Sequence, residues 1–151
     1  MAPQVAICDS LLEDHSRIED LFNALIEAVA ADAYAQAATL WVECERGLSW
    51  HLDTEDELLL PRLLSDRPRD ARAILAEHRH LRLRLAEFGG GLSRPKLESA
   101  RAFVAELRAH TRHEEKVLYH WVDERLPSDE LDAILEVVRL RSWAKPPDRS
   151  A

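Results

Sequence analysis

Glycine is scarce in this chain. Of 151 residues only 4 are glycine, and Gly89, Gly90 and Gly91 stand together. No stretch alternates apolar and polar residues between turn residues, so strands are not expected. No apolar run nears the roughly 18 residues needed to cross a bilayer, which argues against a membrane role. The opening MAPQVAICDSLLEDH offers neither a basic segment nor an apolar run behind it, so no secretory signal is expected. Cys8 and Cys44, the two cysteines, are too few for a disulfide framework. They read as reduced, small apolar core residues of a cytoplasmic protein. Basic residues number 20 against 28 acidic ones, giving a formal net charge of -8, and they form no block or face. That balance argues against nucleic acid and against anionic membrane surfaces as partners.

What the chain does contain is apolar residues recurring at three and four positions, the period of an amphipathic helix. Four long helices and a shorter fifth are expected. The first starts near Ser10, where Ser10 and Glu13 fit a capping box, and ends near Ala33. The second runs from about Ala33 to about Leu64, with Pro61 kinking or ending it. The third spans about Arg69 to Phe88, and GGGLSRP breaks the chain after it. The fourth runs from about Pro95 to about Arg125, where Pro127 stops it; Ser128 caps a short helix to about Trp143. The fold class is therefore all-α: an up-down-up-down four-helix bundle with a short fifth C-terminal helix. Residues 1–145 make one domain and residues 146–151 a flexible tail.

The apolar stripes of the four long helices are interrupted at matching places. Each carries a histidine on its core face: His15, His51, His78 and His110. Two add a glutamate four residues later, Glu55 after His51 and Glu114 after His110. That spacing leaves the two side chains about 40° apart on one helix face, one turn apart. HLDTEDELLLP and HTRHEEKVLYH share this pattern, and the segments around His15 and His78 share an acidic residue before the histidine. The bundle thus reads as two similar helix pairs, each offering two histidines and one carboxylate.

A buried carboxylate costs several kcal/mol unless it is paired or bound to metal. Two of them facing each other, with no Lys or Arg on the same stripes, call for a cation between them. Four imidazoles and two carboxylates form a nitrogen and oxygen set suited to iron or manganese, with zinc a lesser candidate. If both glutamates bridge, each ion takes two histidines and two bridging oxygens. An oxo or hydroxo bridge then leaves one octahedral position free on each ion, which implies chemistry on a small ligand.

The remaining polar residues have plainer readings. His80 falls about 200° round the helix from His78 and reads as a surface residue, as does His120 near a helix end. His113 sits on the flank of His110, and Asp56 and Glu115 are turned about 100° from the glutamates they follow. All three read as solvated, with support of the ligands, or for His113 ligation itself, as the alternative. Tyr119 and Trp121 read as core packing, with lining of a ligand pocket as the alternative. Cys8 and Cys44 each precede a histidine by seven residues, which sends them to opposite ends of an antiparallel helix pair.

EDHSRIEDLF, HLDTEDELLLP, EHRHLRLRL and HTRHEEKVLY together resemble the hemerythrin-like family, the HHE cation-binding domain, over about residues 10 to 125. The resemblance implies a four-helix bundle around a non-haem pair of iron ions (Fe2+/Fe3+). It implies His15 and His51 on one iron, His78 and His110 on the other, and Glu55 and Glu114 bridging. Oxygen-carrying members place two histidines, four apart, on the third helix; here the positions flanking His78 at that spacing are Ile74 and Arg82. The pattern is nearer the subgroup resembling the repair-of-iron-centres proteins, though the cysteine-bearing N-terminal domain common in that subgroup is not in this sequence. The implied activity is binding of, or reaction with, dioxygen, nitric oxide or peroxide at an open iron pair. An oxidoreductase consuming peroxide or nitric oxide, a gas sensor without turnover and an iron-handling donor all remain open. The implied partners are the small ligand and a redox partner protein.

Overall fold

The computed structural model describes residues 3–140, with side chains from residue 7 onward. Among these residues every regular element is helical and no strand forms. The helices are α1 (Pro3–Ala30), α2 (Tyr34–Leu58), α3 (Leu60–Asp66), α4 (Pro68–Glu87), α5 (Leu97–Glu114), α6 (His120–Arg125) and α7 (Ser128–Leu140). A single 3₁₀ turn, Arg94–Lys96, leads into α5, and a π turn, Glu115–Tyr119, joins α5 to α6. No helix here is long and apolar enough to cross a membrane. The last expected turn of the fifth helix, to Trp143, and the tail at 146–151 lie outside the described residues.

The helices form a bundle. Antiparallel neighbours are legible in single contacts: Glu77 meets His110 while His80, three residues on, meets Glu106. Likewise the Cys8 thiol donates to Asp123 near one end of α1, while Arg108 reaches Glu19 further along. α7 packs against α1 and closes one end.

One helix start differs from the sequence expectation, while the kink expected at Pro61 is present. α1 already runs from Pro3, so Ser10 lies inside the helix and caps nothing. The pattern around Ser10 mimics a start because Ser-x-x-Glu is compatible with helix interior too. The second long rod breaks at Leu59, whose φ and ψ of -110° and -48° sit off the helical ideal, and restarts as α3 with Pro61 in its first turn. Proline lacks the N–H that would have continued the ladder, so the break falls just before it. The connections are braced from within. Asp32 turns the chain between α1 and α2 at a φ of 57°, and Arg94 donates to Asp32 Oδ1 at 2.9 Å and to the Ala30 carbonyl at 2.9 Å. Gly89, at a φ of 63°, ends α4 in the left-handed conformation that glycine adopts without strain.

The apolar interior is divided in two. One cluster gathers Ile18, Phe22 and Leu25 of α1 with Trp41, Cys44 and Leu48 of α2, Leu81 and Leu85 of α4, and Phe103 and Leu107 of α5. The other gathers Ile7, Cys8 and Leu11 of α1 with Leu59, Leu60, Leu63, Ile74, Leu118 and Trp121, and the inner face of α7. On every long rod the histidines and glutamates stand in the gap between the clusters or, as His51 does, at its edge. Cys8 and Cys44 belong to opposite clusters and are both free, as their offsets imply.

Candidate metal centre

The layer between the clusters is a buried set of nitrogen and oxygen atoms. His51, His78, His110, Glu55 and Glu114 are all buried, the two glutamates at 0% exposure, and the His15 side chain is only 8% exposed. These are the six residues singled out by their spacing, and the fold brings them together in two groups. One consists of His15, His51, Glu55 and Glu114; the other of Glu55, His78, His110 and Glu114. Within each group the candidate ligand atoms all lie within 4.8 Å of one another. Both glutamates belong to both groups. Glu55 Oε1 lies 3.1 Å from His51 Nε2 and 3.6 Å from His78 Nε2. Glu114 reaches His15 Nε2 at 3.3 Å, His110 Nε2 at 3.0 Å and, through its other oxygen, His78 Nε2 at 3.0 Å. His15 and His51 face each other nitrogen to nitrogen at 2.7 Å.

The same order of histidines and glutamates characterises a known family. The Hemerythrin HHE cation binding domain matches residues 6–122. This chain belongs to that family. Comparison with curated proteins finds no match, and neither does comparison with solved structures.

A cation suits the hemerythrin-like centre on a structural test. Glu55 Oε1, Glu114 Oε1 and His110 Nε2 are buried and make no hydrogen bond of sound geometry, although imidazoles or carboxylates stand beside them. Buried polar atoms left in this way call for a partner such as an ion. The inward nitrogen of every imidazole is Nε2, and the donor set is the mixed nitrogen and oxygen kind that first-row metals take.

In the cation-free chain, protons offset the carboxylate charge. Burial alone would lower the pKa of His51, but the Glu55 charge and the carboxylates of Asp14 and Glu55 outweigh it and raise the group to about 10. His78, likewise opposed by burial, rises to about 9 through Asp56 and Glu114. Burial opposes the charge on His110 as well, yet Glu114 and Glu77 outweigh it and raise the group. Burial pushes Glu114 upward, yet the imidazoles of His110, His15 and His78 prevail and hold its carboxyl well below the usual range.

Four further residues support the layer without being singled out by their spacing. Asp56, expected on a solvated face, accepts from His78 Nδ1 at 2.6 Å and is held by Arg82 at 2.8 Å. Glu77 accepts from His110 Nδ1 at 2.8 Å and from His113 Nδ1 at 2.5 Å, so His113 supports the layer from its rim. Asp14 stands 3.6 Å from His51 Nδ1, an ion-pair distance too long for a hydrogen bond. Carboxylates behind ligating imidazoles fix the ring orientation and the tautomer. The signal was present: Asp14 and Glu77 are the acidic residues that precede His15 and His78, and each serves the histidine of the neighbouring rod instead of its own. Glu115, His80 and His120 are exposed as expected.

Tyr119 fits both of its readings: it packs in the second apolar cluster, and its hydroxyl reaches the layer. Its phenol lies inside the layer, donating to Glu55 Oε2 at 2.9 Å and lying 3.0 Å from His15 Nε2. Burial, with the charges of Glu55 and Glu114, raises its pKa well above the ordinary value. Trp121 packs in the apolar cluster as expected and donates to Asp66 Oδ2 at 2.6 Å.

Proposed function

We propose that the layer holds two iron ions and that the protein binds or reacts with dioxygen, nitric oxide or peroxide there. His15 and His51 would hold one ion and His78 and His110 the other, with Glu55 and Glu114 spanning both. The observation that carries this reading is the sharing of both glutamates by two otherwise separate donor groups. A single-ion site has no use for that arrangement. A bridged iron pair supplies redox equivalents and open coordination positions to a small ligand.

The chain's own residues supply the surroundings. Asp56 and Glu77 hold imidazoles in orientation before any ion arrives. Ile18, Leu48, Leu52 and Leu107 line a cavity of about 10 Å³ beside His15, His51 and His110. That is room for no more than about one water-sized molecule, which favours a very small ligand over a larger substrate. We further infer that the four long rods run up and down in turn, with α7 as the short fifth helix. In this reading the protein works in the cytoplasm, with a redox partner protein as its electron source.

The test is metal analysis of protein from iron-supplied cells, with optical spectra before and after oxygen or peroxide. Two iron ions per chain are expected, with near-ultraviolet absorption from a ferric pair that changes on exposure. His51→Ala and Glu114→Ala should each bring iron well below two per chain. Normal iron loading in both variants, or zinc alone in the native protein, would overturn the reading.

A further inference from the structure

The two halves of the layer are built from similar residues but are not equally braced. In the His78/His110 half, both outer nitrogens are tied down. His78 Nδ1 donates to Asp56 at 2.6 Å, and Asp56 is itself held by Arg82 at 2.8 Å. His110 Nδ1 donates to Glu77 at 2.8 Å, and Glu77 is held on its other oxygen by His113. In the His15/His51 half, neither is hydrogen-bonded, and only His51 has a carboxylate at ion-pair distance. His51 Nδ1 has Asp14 at 3.6 Å, outside hydrogen-bond reach. His15 Nδ1 is buried with no hydrogen-bond partner among the described residues. The position that would serve it by analogy with Asp56 is Glu115, which is exposed instead. The small cavity borders both imidazoles of this half but only His110 of the other.

We propose that the two cation positions are unequal: the His78/His110 position retains its ion, while the His15/His51 position exchanges its own. The inference rests on the six-residue reading of the centre and adds an order of strength to it. An imidazole free to turn about its outer nitrogen loses more freedom on binding an ion and donates more weakly. Loss of one outer partner typically lowers metal affinity by roughly 10- to 100-fold, so a separation of that order is expected between the halves. The domain then presents one exchangeable cation beside one resident cation.

The test loads the full chain anaerobically with Fe2+ and follows release to a colorimetric ferrous chelator. Two phases of one ion per chain each are expected. His15→Ala should lose the fast phase and keep the slow one, and His110→Ala the reverse. Asp56→Asn keeps all six donors and changes a residue at the partly exposed rim; with its fold checked by circular dichroism, it should speed the slow phase by roughly 10- to 100-fold. A single phase carrying both ions overturns the inequality alone. So does a slow phase that disappears in His15→Ala, or one that Asp56→Asn leaves unchanged. A chain that takes up no iron overturns the six-residue reading and the inequality with it.

Discussion

Tyr119 shows how much one residue can do inside this layer. Five residues after Glu55 the first half of the chain has Leu60, and five after Glu114 the second half has a tyrosine. Leu60 packs in an apolar cluster, whereas the Tyr119 hydroxyl is the donor to buried Glu55 Oε2. Tyr119→Phe would leave that oxygen without its partner, at a cost of roughly 1–3 kcal/mol in the cation-free chain. For a chain of this size each kcal/mol lowers the melting temperature by roughly 2–4 °C. Thermal melts should show the loss without metal and a smaller one with metal bound, since an ion then satisfies the carboxylate. An unchanged melting temperature in the cation-free variant would contradict this role for the phenol. The six inward donors were legible from sequence because each breaks an apolar stripe at helical spacing. Asp56, Glu77 and Asp14 were not, because each lies off its own stripe and reaches across to a different rod. Off-stripe acidic residues look the same in sequence whether they face water or a neighbouring imidazole.

At the scale of the elements, both rods that carry a glutamate change just beyond it. α2 gives way at Leu59, four residues past Glu55, and α5 passes into the π turn directly after Glu114. In a regular helix residues five apart stand about 140° from each other, so Glu114 and Tyr119 would not share a face. A π turn bonds residues five apart and restores them to one side, a device common at functional sites. The first interruption was legible because Pro61 announces it. The second was not, since EEKVLYHW contains no proline or glycine and every residue in it suits an ordinary helix. The start of α1 is hidden for a related reason: a capping box is a local pattern that the helix runs through. Ser10→Ala tests the difference. A lost cap would cost about 1 kcal/mol, but within a helix alanine is favoured over serine by up to roughly 0.5 kcal/mol. The expected outcome in denaturant unfolding is no loss or a small gain in stability.

The whole molecule devotes the middle of its interior to charge. Two apolar clusters flank a layer that carries at least four imidazoles and two glutamates and packs no aliphatic core between them. Without cations the layer is held by protons, and this sets the pH dependence. His51 and His78 have folded pKa values raised to about 10 and about 9, above the 6.5 of a free imidazole. Their contribution is complete below about pH 6.5 and is lost as pH climbs through 9 and 10. Glu114 is depressed, so its contribution is present above the ordinary carboxylate range and is lost as pH falls below it. The cation-free protein should therefore be most stable near pH 5 to 6, by about the separation of those ranges. Metal binding has the opposite slope, because imidazoles must shed their protons to ligate and the affinity grows as pH rises. Melts from about pH 6 to about pH 9, with and without Co2+, should show the cation-free midpoint falling while the gap to the loaded protein widens. A cation-free midpoint that rises over this range would mean that protons do not stand in for the ions, and that the carboxylates of the layer are held apart by something other than the imidazoles.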